Sequence, residues 1–111
     1  MLTLTYIKQQ LTVLKPILQK KYPLANMAIF GSYARNEATE KSDVDVLVEL
    51  NGKIGIQFID LADEIETCLG IKTDVITKNS LKSNYYEHIK QDLIYVKTRS
   101  KHSFNRYFRI Y

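Results

Sequence analysis

The sequence predicts a single α/β (α+β) domain, and three segments carry that prediction. Apolar residues recur at helical spacing near the start, at Tyr6 or Ile7, Leu11, Leu14 and Leu18. Val44, Val46 and Val48 alternate with Asp45, Leu47 and Glu49, the period of a strand. Helical spacing then returns at Phe58, Ile59, Ala62, Ile65 and Leu69. Helices and strands that alternate along 111 residues fit one small core, because a second would need more chain.

Taken in order, Thr3 or Thr5 is placed to cap the first helix, and Pro16 removes a backbone donor inside it. A break or kink is expected near Lys15, with the helix continuing to about Lys21 and closed by Pro23. Asn26 to Phe30 is a short apolar run that meets Gly31, which reads as a buried strand followed by a tight turn. The polar stretch from there to Asp43 has room for one helical turn.

The valine alternation makes a second strand, with its valines on one face and Asp43 and Asp45 together on the other, polar one. Asn51 to Gly55 is a turn. The helix after it opposes its apolar face with Asp60, Asp63, Glu64 and Glu66, a solvated face by default, and stops at Gly70. Lys72 to Thr77 is a third strand, residues 84–92 a further helix, and Leu93 to Val96 a short last strand.

Composition excludes several classes. At 45% hydrophobic and 25% charged residues the chain has globular usage. No apolar run approaches the roughly 18 residues of a membrane span, and the N-terminus has no signal-peptide pattern, so a soluble cytoplasmic protein without a membrane partner is expected. The lone Cys68 excludes an internal disulfide and a multi-cysteine zinc site; it reads as a small buried residue, and any metal needs oxygen ligands. The net charge of +4 is local, because residues 97–111 carry Lys97, Arg99, Lys101, Arg106 and Arg109 without an acid. The preceding 96 residues carry 11 basic and 12 acidic side chains, so charge does not argue for a nucleic-acid partner of the body. The tail adds Phe104, Tyr107, Phe108 and Tyr111, a basic and aromatic mixture that can stack on single strands but more often docks on protein.

Chemistry concentrates in one constellation. Asp43 and Asp45 share a strand face and Asp74 lies in the next strand, so the three carboxylates can converge. Clustered carboxylates repel unless a cation neutralises them, and an all-oxygen donor set suits Mg²⁺. Upstream, Gly31-Ser32 follows a strand, where bare backbone and a hydroxyl can meet a phosphate and Arg35 can reach the same anion. His88 reads as a helix-surface histidine, and Tyr33, close to the turn, is a remote candidate for self-modification.

The order Gly31-Ser32, ten residues, then Asp43-Val44-Asp45, within FGSYARNEATEKSDVDVLVEL and followed by TDVIT, resembles the nucleotidyltransferase superfamily that shares the polymerase β palm. With its short length it is most similar to the minimal nucleotidyltransferase (MNT) branch, over nearly all of residues 1–96. The resemblance implies a small mixed sheet flanked by helices in residues 1–96, with 97–111 a basic aromatic C-terminal tail. It also implies Mg²⁺ as cofactor and ATP as substrate. Asp43, Asp45 and Asp74 would be the catalytic, metal-holding residues, and Gly31, Ser32 and Arg35 would bind the phosphates. An acceptor hydroxyl would attack the α-phosphorus and pyrophosphate would leave, in a two-metal reaction. Relatives of this size imply an antitoxin that adds AMP to a tyrosine of a HEPN-domain RNase toxin. Neutralisation by binding alone, and transfer to RNA or a small molecule, are the competing readings. One position departs from the pattern: Asn36 stands where relatives usually carry Gly, and since Asn tolerates a left-handed backbone the turn is expected to persist.

Overall fold

The computed structural model describes residues 1–97. Helix α1 (Leu4–Lys21) leads into strand β1 (Leu24–Phe30), the short helix α2 (Gly31–Ala34), strand β2 (Val44–Leu50) and helix α3 (Gln57–Leu69). Strand β3 (Thr73–Thr77), a 3-10 turn at Lys78–Ser80, helix α4 (Ser83–Lys90) and strand β4 (Ile94–Tyr95) complete the described part. The sheet is mixed, in the order β3-β2-β1-β4: β1 runs antiparallel to β2 and β4, and β2 runs parallel to β3. That bears out the α/β (α+β) reading with a small mixed sheet. The tail beyond Lys97, with its aromatic and basic residues, lies outside the described residues.

α1 starts where Thr3 Oγ1 accepts the Tyr6 amide at 3.1 Å, the first of the two expected caps. It runs as one helix through Pro16, against the expected break. Ile7, Leu11 and Leu18 are fully buried on both sides of the proline, and each such side chain contributes about 1.5–3 kcal/mol. That outweighs one missing backbone bond. Lys15 holds the helix from the same face: its buried ammonium donates to Val96 O at 3.1 Å and to Asn26 Oδ1 at 3.4 Å.

The main core lies between one face of the sheet and α1 with α3. Val44, Val46 and Val48 meet Ile7, Leu11, Leu61, Ile65 and Leu69 there. α3 therefore buries Leu61, Ile65 and Leu69, whereas Ile59, counted on the apolar face by spacing, is 59% exposed. Gly70 closes α3 in the left-handed conformation, φ 70°. Its acidic side is not wholly solvated: Glu64 takes Lys21 Nζ at 2.7 Å and the Tyr22 hydroxyl, and Glu66 Oε1 accepts the Thr73 amide at 2.8 Å. These bonds tie α3 to the end of α1 and to the start of β3.

The second face of β2 is less polar than its sequence suggests. Leu47 is fully buried there with Phe30 and Ile89, in a small cluster that α4 covers. Asp45 lies on this face, at the end nearest α2. Among the described residues no helix is long and apolar enough to cross a membrane.

Candidate active site

Antiparallel pairing sets Phe30 opposite Asp45, so the turn after β1 emerges beside the first residues of β2. Gly31 makes that turn at φ 76°. A Cβ there would lie 2.2 Å from Asp45 Oδ2, a distance no real side chain tolerates. The positive φ favours glycine and the bare backbone lets the Asp45 side chain pack against it, so the Gly31-Ser32 turn and the aspartate strand form one site.

Parallel pairing then sets Asp45 directly opposite Asp74, two side chains on the same face of adjacent strands. Asp43 sits just before β2, beside Lys72, whose ammonium is 3.8 Å from Asp43 Oδ2. The structure thereby brings Asp43, Asp45 and Asp74 to one end of the sheet. Burial pushes the Asp45 carboxyl above the usual carboxylate range, the charges of Asp74 and Asp43 push it the same way, and Arg35 opposes them. Like charges that act on one another in this way are what a cation relieves. Among the described residues, however, no three His, Cys, Asp or Glu side chains are gathered closely enough to hold an ion as they stand. The donor set suits Mg²⁺ in chemistry, and an aspartate side chain rotates about two bonds to meet an ion.

Ser32 is half-buried in α2, and its carbonyl accepts the Glu37 amide at 2.8 Å. Arg35 follows α2, where its guanidinium pairs with Asp92 Oδ2 at 3.2 Å and Glu37 Oε2 at 3.4 Å. Asn36 has φ 60°, so the left-handed position expected there is present and asparagine occupies it. The loop down to Asp43 is held by its own side chains. Ser42 Oγ accepts the Thr39 amide at 2.8 Å, and Thr39 O accepts the Ser42 amide at 3.0 Å.

Spacing alone missed Lys72 and Asp92. Lys72 carried a readable signal, because it precedes Asp74 by two residues and must share its end of the strand. Asp92 carried none: its contact with Arg35 spans 57 residues. Tyr33 is buried in the main core, which removes it as an accessible acceptor. Burial pushes the Cys68 thiol up, away from the reactive thiolate, and His88 is exposed on α4. A groove of about 560 Å³ along Thr5, Lys8, Gln9, Thr12, Val13 and Pro16 lies on the outer side of α1, across the sheet from the aspartates.

Comparison with known proteins agrees with this geometry. The nucleotidyltransferase domain family matches residues 11–97. MJ0128 of Methanocaldococcus jannaschii, a proposed protein adenylyltransferase, is 47% identical over 98 residues, covering 86% of this chain and 100% of its own. Protein adenylyltransferase MntA of Thermococcus cleftensis is 38% identical over 97 residues, covering 86% and 98%. Among solved structures, a proposed minimal nucleotidyltransferase superposes with a TM-score of 0.71 at 26% identity, over 84% of this chain and 95% of that one. The fold also matches, with a TM-score of 0.62 at 16% identity over 89% and 77%, a chain from the complex of tri-AMPylated Shewanella oneidensis HEPN toxin with MNT antitoxin. The turn against Asp45, the paired aspartates and full-length relatives at this identity lead to one conclusion: the chain is a nucleotidyltransferase, a member of the nucleotidyltransferase domain family.

Proposed function

We propose that the chain is an antitoxin that transfers AMP from ATP, with Mg²⁺, to a tyrosine hydroxyl of a partner HEPN-domain toxin. The observation that carries the reading is the register of Asp45 against Asp74, with Gly31 packed on Asp45. It supports a site where a nucleotide bound at the turn and an acceptor at the outer strand meet across two carboxylates. The adenylyltransferase names of the relatives support AMP as the transferred group. The complex of an AMPylated HEPN toxin with an MNT antitoxin supports the partner class.

In this reading Asp43, Asp45 and Asp74 would hold Mg²⁺, which when bound offsets the charge shared by the aspartates and the triphosphate. Gly31 and Ser32 present backbone and hydroxyl donors to the phosphates, with no side chain at Gly31 to obstruct them. Arg35 exchanges its carboxylate partners for phosphate oxygens. Asp74, exposed on the outer strand, orients the acceptor hydroxyl and receives its proton. The phenolic oxygen bonds to the α-phosphorus as the bond to the departing pyrophosphate breaks.

The test is intact mass of a HEPN-domain toxin co-expressed with this chain, either unaltered or carrying Asp43→Asn and Asp45→Asn. Whole AMP units on the toxin that require both aspartates are expected, on tyrosine by fragmentation. An unmodified toxin in a stable complex would make the chain an occluding antitoxin instead.

A further inference from the structure

Among the described residues, Arg35 and Lys72 are cations that stand beside the aspartate end of the sheet. Arg35 is already divided between Glu37 and Asp92. Lys72 is different. Its carbonyl accepts the Val44 amide at 3.1 Å, which pins its backbone next to Asp43 in the parallel register that continues as Val44 with Thr73 and Asp45 with Asp74. Its side chain is 81% exposed, and its ammonium lies 3.8 Å from Asp43 Oδ2. The backbone is held and the charge is free to move. An exposed pair of this length contributes little to stability, so little holds the ammonium on Asp43.

We propose that Lys72 is a nucleotide-binding residue that changes partner: it neutralises Asp43 in the free protein, then releases it to the divalent cation and contacts the triphosphate. The inference rests on the reading of Asp43 as a metal-holding carboxylate. Lysine suits the exchange because its charge is a point on a flexible stem, able to follow a phosphate without a fixed geometry.

Two binding measurements on the full 111-residue chain test this, and they should move in opposite directions. Mn²⁺ alone is followed by loss of the free-ion electron paramagnetic resonance signal, and ATP with Mg²⁺ by calorimetry. Lys72→Ala removes the competing cation, so Mn²⁺ alone should bind about threefold or more tighter, while ATP with Mg²⁺ should bind about threefold or more weaker. Lys72→Arg keeps the charge and should bind ATP with Mg²⁺ more tightly than Lys72→Ala does, and an arginine variant as weak as the alanine one overturns the proposal. Circular dichroism establishes that each variant folds. Any other pattern for Lys72→Ala, including two shifts of the same sign or no shift, overturns the proposal. Asp45→Asn separates the two levels: if it weakens Mn²⁺ binding while Lys72→Ala is silent, only the role of Lys72 fails. If Mn²⁺ binding does not depend on Asp45, the metal-site reading itself fails.

Discussion

The Asp45 carboxylate occupies the space that a side chain on Gly31 would need, with Oδ2 only 2.2 Å from the position of a Cβ. Strand register brings the two together, since Asp45 pairs with Phe30 and the chain turns at the next residue. The same register aligns Asp45 with Asp74, so one strand pairing on each side of β2 builds the site.

Gly31→Ala should therefore fail twice, by the clash and by a φ of 76° that L residues avoid. A destabilisation of about 1–3 kcal/mol is expected, together with loss of AMP transfer as Asp45 is displaced. Urea unfolding alongside the transfer assay measures both, and a Gly31→Ala variant equal to the unaltered chain in each would contradict the packing described.

Asp45→Asn should remove transfer yet raise the stability of the nucleotide-free chain at neutral pH. Burial and the neighbouring Asp74 and Asp43 charges hold the Asp45 carboxyl above its ordinary range, so the folded chain binds that proton more tightly than the unfolded one. Ionised Asp45 costs stability at neutral pH, and the cost disappears below about pH 4, where the unfolded chain is protonated as well. With solvent screening the gain should be under about 1 kcal/mol, and thermal melts at pH 7 in chelator will read it.

Glu64→Gln should show the opposite sign. Lys21 first, then the Tyr22 hydroxyl, hold the Glu64 carboxyl below its usual range, and the same contact pushes Tyr22 up to about 12. A depressed acid stabilises above its unfolded pKa and loses that contribution as pH falls through the folded value. The substitution should cost at most about 1 kcal/mol at pH 7. Denaturant titrations at pH 7 and pH 3 should show the gap closing in acid. It should close again in alkali, as Tyr22 ionises; a gap constant with pH would show that the Lys21–Glu64–Tyr22 contacts do not contribute.

Asn36 distinguishes a backbone requirement from a side-chain one. At φ 60°, Asn36→Ala should cost about 1 kcal/mol, while Asn36→Gly should stay within about 0.5 kcal/mol of the unaltered chain. Equal melting temperatures for all three would mean that the loop tolerates another conformation.

Much of this protein was determined by local sequence. The period-2 valines place Asp45 on the face away from the main core, and the Gly-Ser turn, the one-turn helix and the left-handed Asn36 all follow from residue chemistry over a few positions. Asp43 and Asp45 were nameable together for the same reason, because parity fixes which side chains of one strand share a face, whereas Asp74 was a candidate that only the β2–β3 register sets opposite Asp45. Tertiary structure decided the rest. Whether Pro16 breaks α1 depends on the burial of Ile7, Leu11 and Leu18 around it, a term larger than the lost hydrogen bond and invisible in the dipeptide. That Leu47 is covered by Ile89, that Ile59 is left exposed, and that Lys72 and Asp92 stand beside Asp43 and Arg35 depend on strand order and on how the helices seat over the sheet. Periodicity tells which face a side chain leaves by; only the packed sheet decides what it meets.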